Sequence, residues 1–413
     1  MYKCLKNFRL KKDIKSISIL LGSGFSVPMG IASVKRINDR LLTMKESDII
    51  WTQNNIVFFS NGQIDVNASF NLDKRNFLVE FIAYYFSTIN FSDFNYEVFY
   101  DFYYSIIRSG DYDNPTILNF CNEFRKKYNL DNSLMNDNVN LLSTFNDGYN
   151  QLIRSLLDKV DFYENNTANL EYEPYDKMLK YFTELIQSGY KIHIHTLNHD
   201  LLFDHIGRQS RISDFFCDGF SELGQSYYGS LRFGGPPNME YYVRLKSFQN
   251  IYDNSNCFYK LHGSIDTYNF SLANPYFDYT RIKTNYLVDN FLKEVKDSKT
   301  GKYLYKRAHR NAFPDFLSGT TEKLLKYSDP YYDVVFKHFR KNLNKAEKLI
   351  IIGYGFRDSG INDIIKSEYL QKKSFQPVVI DPFESTEQFY KDNKFNLLKK
   401  SISIVTFNDF MSF

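Results

Sequence analysis

The chain has 413 residues, 43% hydrophobic and 18% aromatic, which is enough apolar material for more than one ordinary core, so two domains or one domain with a large insertion are expected. With 51 basic and 48 acidic residues the formal charge is +3, too balanced to argue for nucleic-acid binding. No apolar run is long enough to span a bilayer and Met1–Lys6 begins no signal-peptide pattern, so a soluble cytoplasmic protein is expected.

In chain order, the apolar run Ile17–Leu21 reads as a strand, followed by Gly22-Ser23-Gly24-Phe25-Ser26 and a helical pattern over Ala32–Leu42. Strand, glycine turn and helix start together suit a phosphate, because glycines admit close backbone approach and a helix N-terminus offers N–H groups. Alone the pattern is degenerate, since most glycine pairs after strands are only turns. Residues 49–66 read as irregular with a hairpin. Arg75–Ile89, Tyr96–Arg108, Pro115–Tyr128, Val139–Val160 and Pro174–Gln187 then repeat apolar residues at helical spacing, separated by Asx, Gly or Pro clusters.

Strand-like segments return at Lys191–Leu197, Phe258–Leu261, Lys348–Ile352, Val378–Ile380 and Ser401–Phe407, with helical stretches at Leu201–Arg208, Pro330–Leu343 and Ile361–Leu370. This alternation predicts an α/β fold: a Rossmann-like parallel sheet with flanking helices, formed by residues 1–48 and 188–413, and a large, mainly helical insertion over 49–187. In such sheets ligands sit beyond the carboxyl ends of the strands.

Polar clusters stand at those ends. After the glycine turn come Thr196-Leu197-Asn198-His199-Asp200, Lys260-Leu261-His262-Gly263-Ser264-Ile265-Asp266, and Ile352-Gly353-Tyr354-Gly355-Phe356-Arg357-Asp358 with Asn362 beyond, and finally Asp381-Pro382. Each has an ordinary alternative: Asn198 and Asp200 suit a helix cap, His262 a backbone-bonded histidine, Gly353 and Gly355 plain turns, and Asp381 a strand terminator. Parallel strands would bring all five clusters to one edge, and that convergence carries the functional argument. His193 and His195 alternate with Ile192 and Ile194 and read as structural. Cys4, Cys121, Cys217 and Cys257 form no CxxC and no finger-like Cys/His spacing, so buried thiols and no metal site are expected.

The ordered set GSGFS, TLNHD, KLHGSID, IIGYGFRDSGIND and VVIDP resembles the sirtuin-like NAD-hydrolase domain of bacterial antiphage defence systems, over nearly the whole chain except the helical insertion. The first element is similar to the sirtuin GAGxS loop, the second to T-x-N-x-D, the third to the catalytic HG, the fourth to the IGTS strand end, and Val378–Asp381 to the strand contacting the adenosine ribose. Pro314–Gly319, reading PDFLSG, resembles the family's segment before that strand. Two CxxC pairs of a zinc ribbon and the P-x-F-R of the deacetylases are missing, which removes the usual support for acyl-lysine binding; His199 stands where many relatives have Tyr.

The resemblance implies an NAD+ glycohydrolase that releases nicotinamide and ADP-ribose, depleting NAD+ in abortive infection. Asn198, His262 and Asp200 would be catalytic. Gly22, Ser23, Gly24, Phe25, Ser26, Gly353, Tyr354, Gly355, Phe356, Asp358 and Asp381 would hold NAD+. It further implies self-association and a HerA-type ATPase partner, with nucleic acid reached only through such a partner. Two other readings stay open: a catalytically silent NAD- or ADP-ribose-sensing subunit, and an NAD-dependent deacylase.

Overall fold

The computed structural model describes residues 15–53, 55–60, 71–88, 94–130, 137–158, 173–232, 240–252, 256–272, 279–284, 288–311, 314, 316, 329–372 and 376–412. Among them is a seven-stranded, all-parallel sheet with helices on both faces, an α/β Rossmann-like fold. Its strands are β1 (Ser16–Leu21), β2 (Lys191–Thr196), β3 (Phe216–Cys217), β4 (Asn256–Lys260), β5 (Lys348–Ile352), β6 (Val378–Ile380) and β7 (Asn396–Leu398). They lie side by side as β7-β6-β5-β1-β2-β4-β3. From β1 the chain moves outward through β2 to β4 on one side. From β5 it moves through β6 to β7 on the other. The order therefore reverses between β1 and β5, the place where such sheets open a crevice for a ligand.

The helices are α1 (Val34–Thr43), α2 (Leu72–Thr88), α3 (Tyr96–Ser109), α4 (Pro115–Tyr128), α5 (Asn138–Leu157), α6 (Glu173–Gln187), α7 (Leu202–Gln209), α8 (Pro330–Lys345), α9 (Ser359–Ile365), α10 (Gln388–Asp392) and α11 (Phe407–Met411). Strand alternation divides the apolar residues between two layers. Ile17, Ile19, Ile192, Ile194 and Ile350 pack against α6, α7 and α11, whereas Leu20, Leu349 and Ile351 pack against α8 and α9. Helices α2 to α5 gather with α1 and the hairpin Ile49–Trp51/Val57–Phe59 about a separate aromatic core, where Phe81 and Phe99 meet Phe145 at centroid distances of 4.8 and 5.7 Å. Helix α6, read from sequence as the last helix of the insertion, instead lays Tyr175, Met178 and Phe182 on the sheet.

Two expectations need correction. Ser401–Phe407 is not a strand: Ser401 caps a 3-10 turn at Ile402–Ile404, and Thr406 with Asp409 forms a capping box that starts α11. The edge place is taken by β7, in parallel register with β6. The second concerns residues between β3 and α8, where the sequence predicted only one strand. There the chain also forms antiparallel sheets of five and four strands, spanning Gly219–Ser221 to His309–Arg310. Their tyrosines and lysines blur the apolar/polar alternation that marks a strand. No described helix is long and apolar enough to cross a membrane.

Candidate functional site

At the switch point the loops after β1 and β5 interlock. Gly22 N–H donates to the Ile352 carbonyl at 2.9 Å, and Gly24 N–H to the Gly353 carbonyl at 2.9 Å. A Cβ on Gly24 would stand 2.7 Å from Gly353 Cα, and one on Gly353 only 2.3 Å from Phe25 N; Gly353 also has φ +63°. These glycines exist because two backbones meet, which no larger residue allows. Gly355 differs, since nothing lies within 4 Å of its Cβ position.

The interlock revises the phosphate-turn expectation. Phe25 N–H donates to Gly22 O and Ser26 N–H to Ser23 O, both at 3.0 Å, closing a 3-10 turn over Ser23–Phe25. The N–H groups of Gly22, Gly24, Phe25 and Ser26 are thus engaged inside the protein, and Phe25 buries its ring against Tyr175 at 5.0 Å. Helix α1 also starts later than read, at Val34 with Ser33 as cap. Ser23, Ser33, Val34 and Lys35 all border a cleft of about 710 Å³ that opens at this edge.

The loop after β2 is latched onto the glycine turn. Asn198 Nδ2 donates to Gly22 O at 2.9 Å and to Ser26 Oγ at 3.0 Å, and Ser26 Oγ–H donates to Asp200 Oδ2 at 2.8 Å. Asp200 Oδ1 accepts from Leu202 N–H at 2.9 Å at the start of α7. Both Asp200 oxygens therefore hold structure, and burial pushes its carboxyl above the usual range despite the Leu202 N–H. Asn198 borders the cleft with its amide hydrogens committed, so its Oδ1 can serve a ligand only as an acceptor.

His262, on the turn after β4, is 4% exposed and borders the same cleft. Its Nε2 lies 3.3 Å from Asp358 Oδ2. Asp358 in turn caps α9, accepting from Ile361 N–H at 3.1 Å, so a residue read as ligand-binding also reaches the histidine. His199 faces His262 at a ring distance of 6.1 Å and packs on Phe316 at 5.0 Å. Tyr354 and Phe356 border the cleft but turn their rings inward. The Tyr354 hydroxyl lies 2.9 Å from Asn362 Oδ1, and Phe356 packs on Tyr390 and Phe395 at 5.2 and 5.0 Å. Phe356 keeps φ at +63°, an unfavourable backbone for a bulky residue, held by that packing.

Sequence reasoning missed a buried charge chain beneath this turn. Lys260 Nζ lies 2.9 Å from Asp204 Oδ2 and donates to the Asp200 carbonyl at 2.7 Å and Ser264 Oγ at 2.9 Å. Lys283 meets Asp204 at 3.5 Å and Asp218 at 2.6 Å. Burial alone would raise the Asp204 carboxyl, but the two ammonium groups prevail and hold it at about 2. The available signal was a lysine in the apolar run Cys257–Leu261, since a buried lysine needs a carboxylate.

Asp381, at the end of β6, borders the cleft from the β5 side; burial raises its carboxyl, while the Phe383 N–H bonded to Oδ1 at 2.9 Å opposes this. Ser385 Oγ–H ties the following loop to Gly355 O at 3.0 Å. The opposite wall comes from the insertion, through Asn95, Tyr96 and Leu157. Thus Asn198, Asp200, His262, Ser23, Ser26, Gly22, Tyr354, Gly355, Phe356, Asp358 and Asp381 border one cleft, whereas Gly24, Phe25 and Gly353 support it from below. Of Pro314–Gly319, residues 315 and 317–319 lie outside the described residues.

His193 and His195 stand apart from the cleft. His195 stacks on Tyr259 at 4.8 Å, and burial lowers both histidines, His193 to about 4. Among the described residues, no cluster of three or more His, Cys, Asp or Glu is arranged to hold a metal. A scan against protein-family models finds no match to this chain, and a search of the curated proteins finds none either.

Proposed function

We propose that this cleft binds NAD+ and cleaves the bond between nicotinamide and ribose, releasing nicotinamide and ADP-ribose. The observation that carries the reading is the meeting of Asn198, His262 and Asp381 with the glycine interlock at one switch-point cleft. Nicotinamide is cationic in NAD+ and neutral once it leaves, so the departure needs little acid assistance. The ribose acquires oxocarbenium character, as in glycoside hydrolysis generally.

Each group then has a task that its surroundings permit. Asn198 Oδ1 accepts from the attacking water or a ribose hydroxyl, and the amide is fixed in place by Gly22 and Ser26. His262 takes a proton from that water or hydroxyl, with the Asp358 carboxylate 3.3 Å away to stabilise the imidazolium that forms. Asp381 accepts the adenosine ribose hydroxyls. The pyrophosphate falls to Ser23 and the first turn of α1, beside Lys35, because the other N–H groups of the glycine turn are engaged. Asp200 holds Ser26 and the α7 start. Unregulated NAD+ cleavage would drain the cell that makes the protein, so a gate belongs to the proposal, and a HerA-type ATPase as that gate rests on the sequence resemblance alone.

The test is incubation of the purified chain with NAD+, alone and with extract of phage-infected cells, followed by chromatographic separation of the products. Stoichiometric nicotinamide and ADP-ribose, lost in His262→Ala, are the expected result. Tight ADP-ribose binding without nicotinamide release under either condition would establish the silent sensor instead. Deacylation of an acyl-lysine peptide would establish the third reading.

A further inference from the structure

Two thiols lie in contact far down the sheet from the cleft's rim. Cys217 ends the edge strand β3 and Cys257 lies in β4, and the two are in-register partners across that parallel pair. Their Sγ atoms are 3.1 Å apart, closer than two sulfur atoms rest in ordinary packing. In-register neighbours on adjacent strands sit about 4.8 Å apart, inside the about 4.4–6.8 Å between Cα atoms that a disulfide spans. Both side chains share the sheet face that α8 covers. Cys217 is half-buried at the sheet edge, whereas Cys257 is 1% exposed.

From this juxtaposition we infer that Cys217 and Cys257 are a reversible dithiol/disulfide site, oxidised by low-molecular-weight disulfides of the glutathione class. The thiolate of Cys217, the less buried of the pair, attacks one sulfur of the oxidant, breaking its S–S bond and releasing one small thiol. Cys257 then attacks Cys217 Sγ in the mixed disulfide, expelling the second small thiol and forming the Cys217–Cys257 bond. The protein loses two protons and two electrons, and the oxidant gains them as two S–H bonds. Hardly any backbone movement is needed, because the sulfurs have only to close about 1 Å to reach bonding distance.

The bond would pin the edge strand to the strand that carries the cleft's catalytic turn. Cys257 precedes Lys260 and His262 in β4 and its following turn, and Cys217 precedes Asp218, the carboxylate on Lys283. Oxidation thus acts on the sheet at the root of the buried charge chain. The inference does not depend on what the cleft binds.

The test uses the full chain with oxidised glutathione, free thiols blocked afterwards, and peptide mapping by mass spectrometry. The expected product is a single Cys217–Cys257 cross-linked peptide, two mass units lighter than the sum of the reduced peptides and restored by dithiothreitol. Cys121, buried in α4, should alkylate only after unfolding in both samples and reports that the fold survived. In Cys257→Ser, Cys217 should halt at the mixed disulfide with glutathione. A wild-type protein that halts there too, or leaves both thiols reduced while Cys121 stays protected, would overturn the inference. Phenylarsine oxide is a second probe: it bridges two adjacent thiols with loss of water, and should label wild type but neither single serine variant.

Discussion

Replacing Gly353 by alanine separates a glycine that packs two loops from one that cradles a ligand. The added Cβ would stand 2.3 Å from Phe25 N, 2.4 Å from Gly24 C and 2.5 Å from Gly24 Cα, against 3.4 Å for ordinary contact, so the loops must part by about 1 Å. Overpacking of this kind costs about 1–3 kcal/mol. Alanine at φ +63° adds about 1 kcal/mol. The bond from Gly24 N–H to Gly353 O, now 2.9 Å, stretches past its useful range and loses about 1 kcal/mol. Together these predict about 3–5 kcal/mol of lost stability, read as a lower urea midpoint at unchanged slope. Gly355→Ala meets nothing within 4 Å and should change stability by less than about 0.5 kcal/mol. Because Gly355 borders the cleft, it should still weaken ADP-ribose binding, by roughly tenfold in calorimetry, about 1.4 kcal/mol. A Gly353→Ala protein within 1 kcal/mol of wild type would refute the interlock.

The polar residues of the cleft divide by what their atoms already hold. His262→Ala and Asn198→Ala should abolish nicotinamide release while circular dichroism stays native; full turnover in either ends the catalytic assignment. Asp200→Asn should keep release within about tenfold, because both carboxylate oxygens serve internal bonds. Its folded carboxyl is raised by burial, so the stability it contributes is present below the usual carboxylate value and lost as pH rises through the folded one; Asp200→Asn should flatten that slope in urea titrations. Asp204 has the opposite sign. Held below an unfolded value near 3.9 by the Lys260 and Lys283 ammonium groups, it contributes stability that is present above that value and lost as pH falls through the folded one. An Asp204→Asn chain with the same acid slope as wild type would contradict the buried charge chain.

The parallel sheet was legible because β1, β5 and β6 are short, mostly apolar and buried on both faces, and runs of that kind carry their own signature, while β2 alternates isoleucine with histidine. The convergence of the five polar clusters followed from that parallelism, without knowledge of any contact. Contact itself was not legible. A GxG pair looks the same whether it faces a phosphate or another backbone, and only the approach of Gly353 distinguishes them. Nor does the sequence show that the Asp200 oxygens accept from Ser26 and Leu202. The antiparallel sheets between β3 and α8 escaped because their exposed strands, such as Tyr303–Arg307, put tyrosine, leucine and lysine on solvent. The Asp358–His262 pair joins positions 96 residues apart, and no local pattern encodes such a meeting.

The distribution of charge around the cleft narrows the ligand further. Among the described residues, the sides that meet the β5 and β6 loops carry Asp358, Asp363, Asp381, Glu384 and Glu387, while the lining cations are Lys35 and Arg357, the latter paired with Glu387 at 3.3 Å. Carboxylates suit ribose hydroxyls and a developing ribosyl cation, and they repel phosphate. In the proposed reading the pyrophosphate lies at Ser23 and the start of α1. A dinucleotide can place its single pyrophosphate there and send a ribose to either side. A nucleoside triphosphate brings about four negative charges, and the described lining offers its γ-phosphate no cationic clamp of the kind that triphosphate sites use. ADP-ribose should therefore displace a fluorescent NAD analogue at least tenfold better than ATP does, with or without Mg2+. Equal or stronger displacement by ATP would mean that the acidic wall is neutralised by a cation on binding, and the dinucleotide reading would fail.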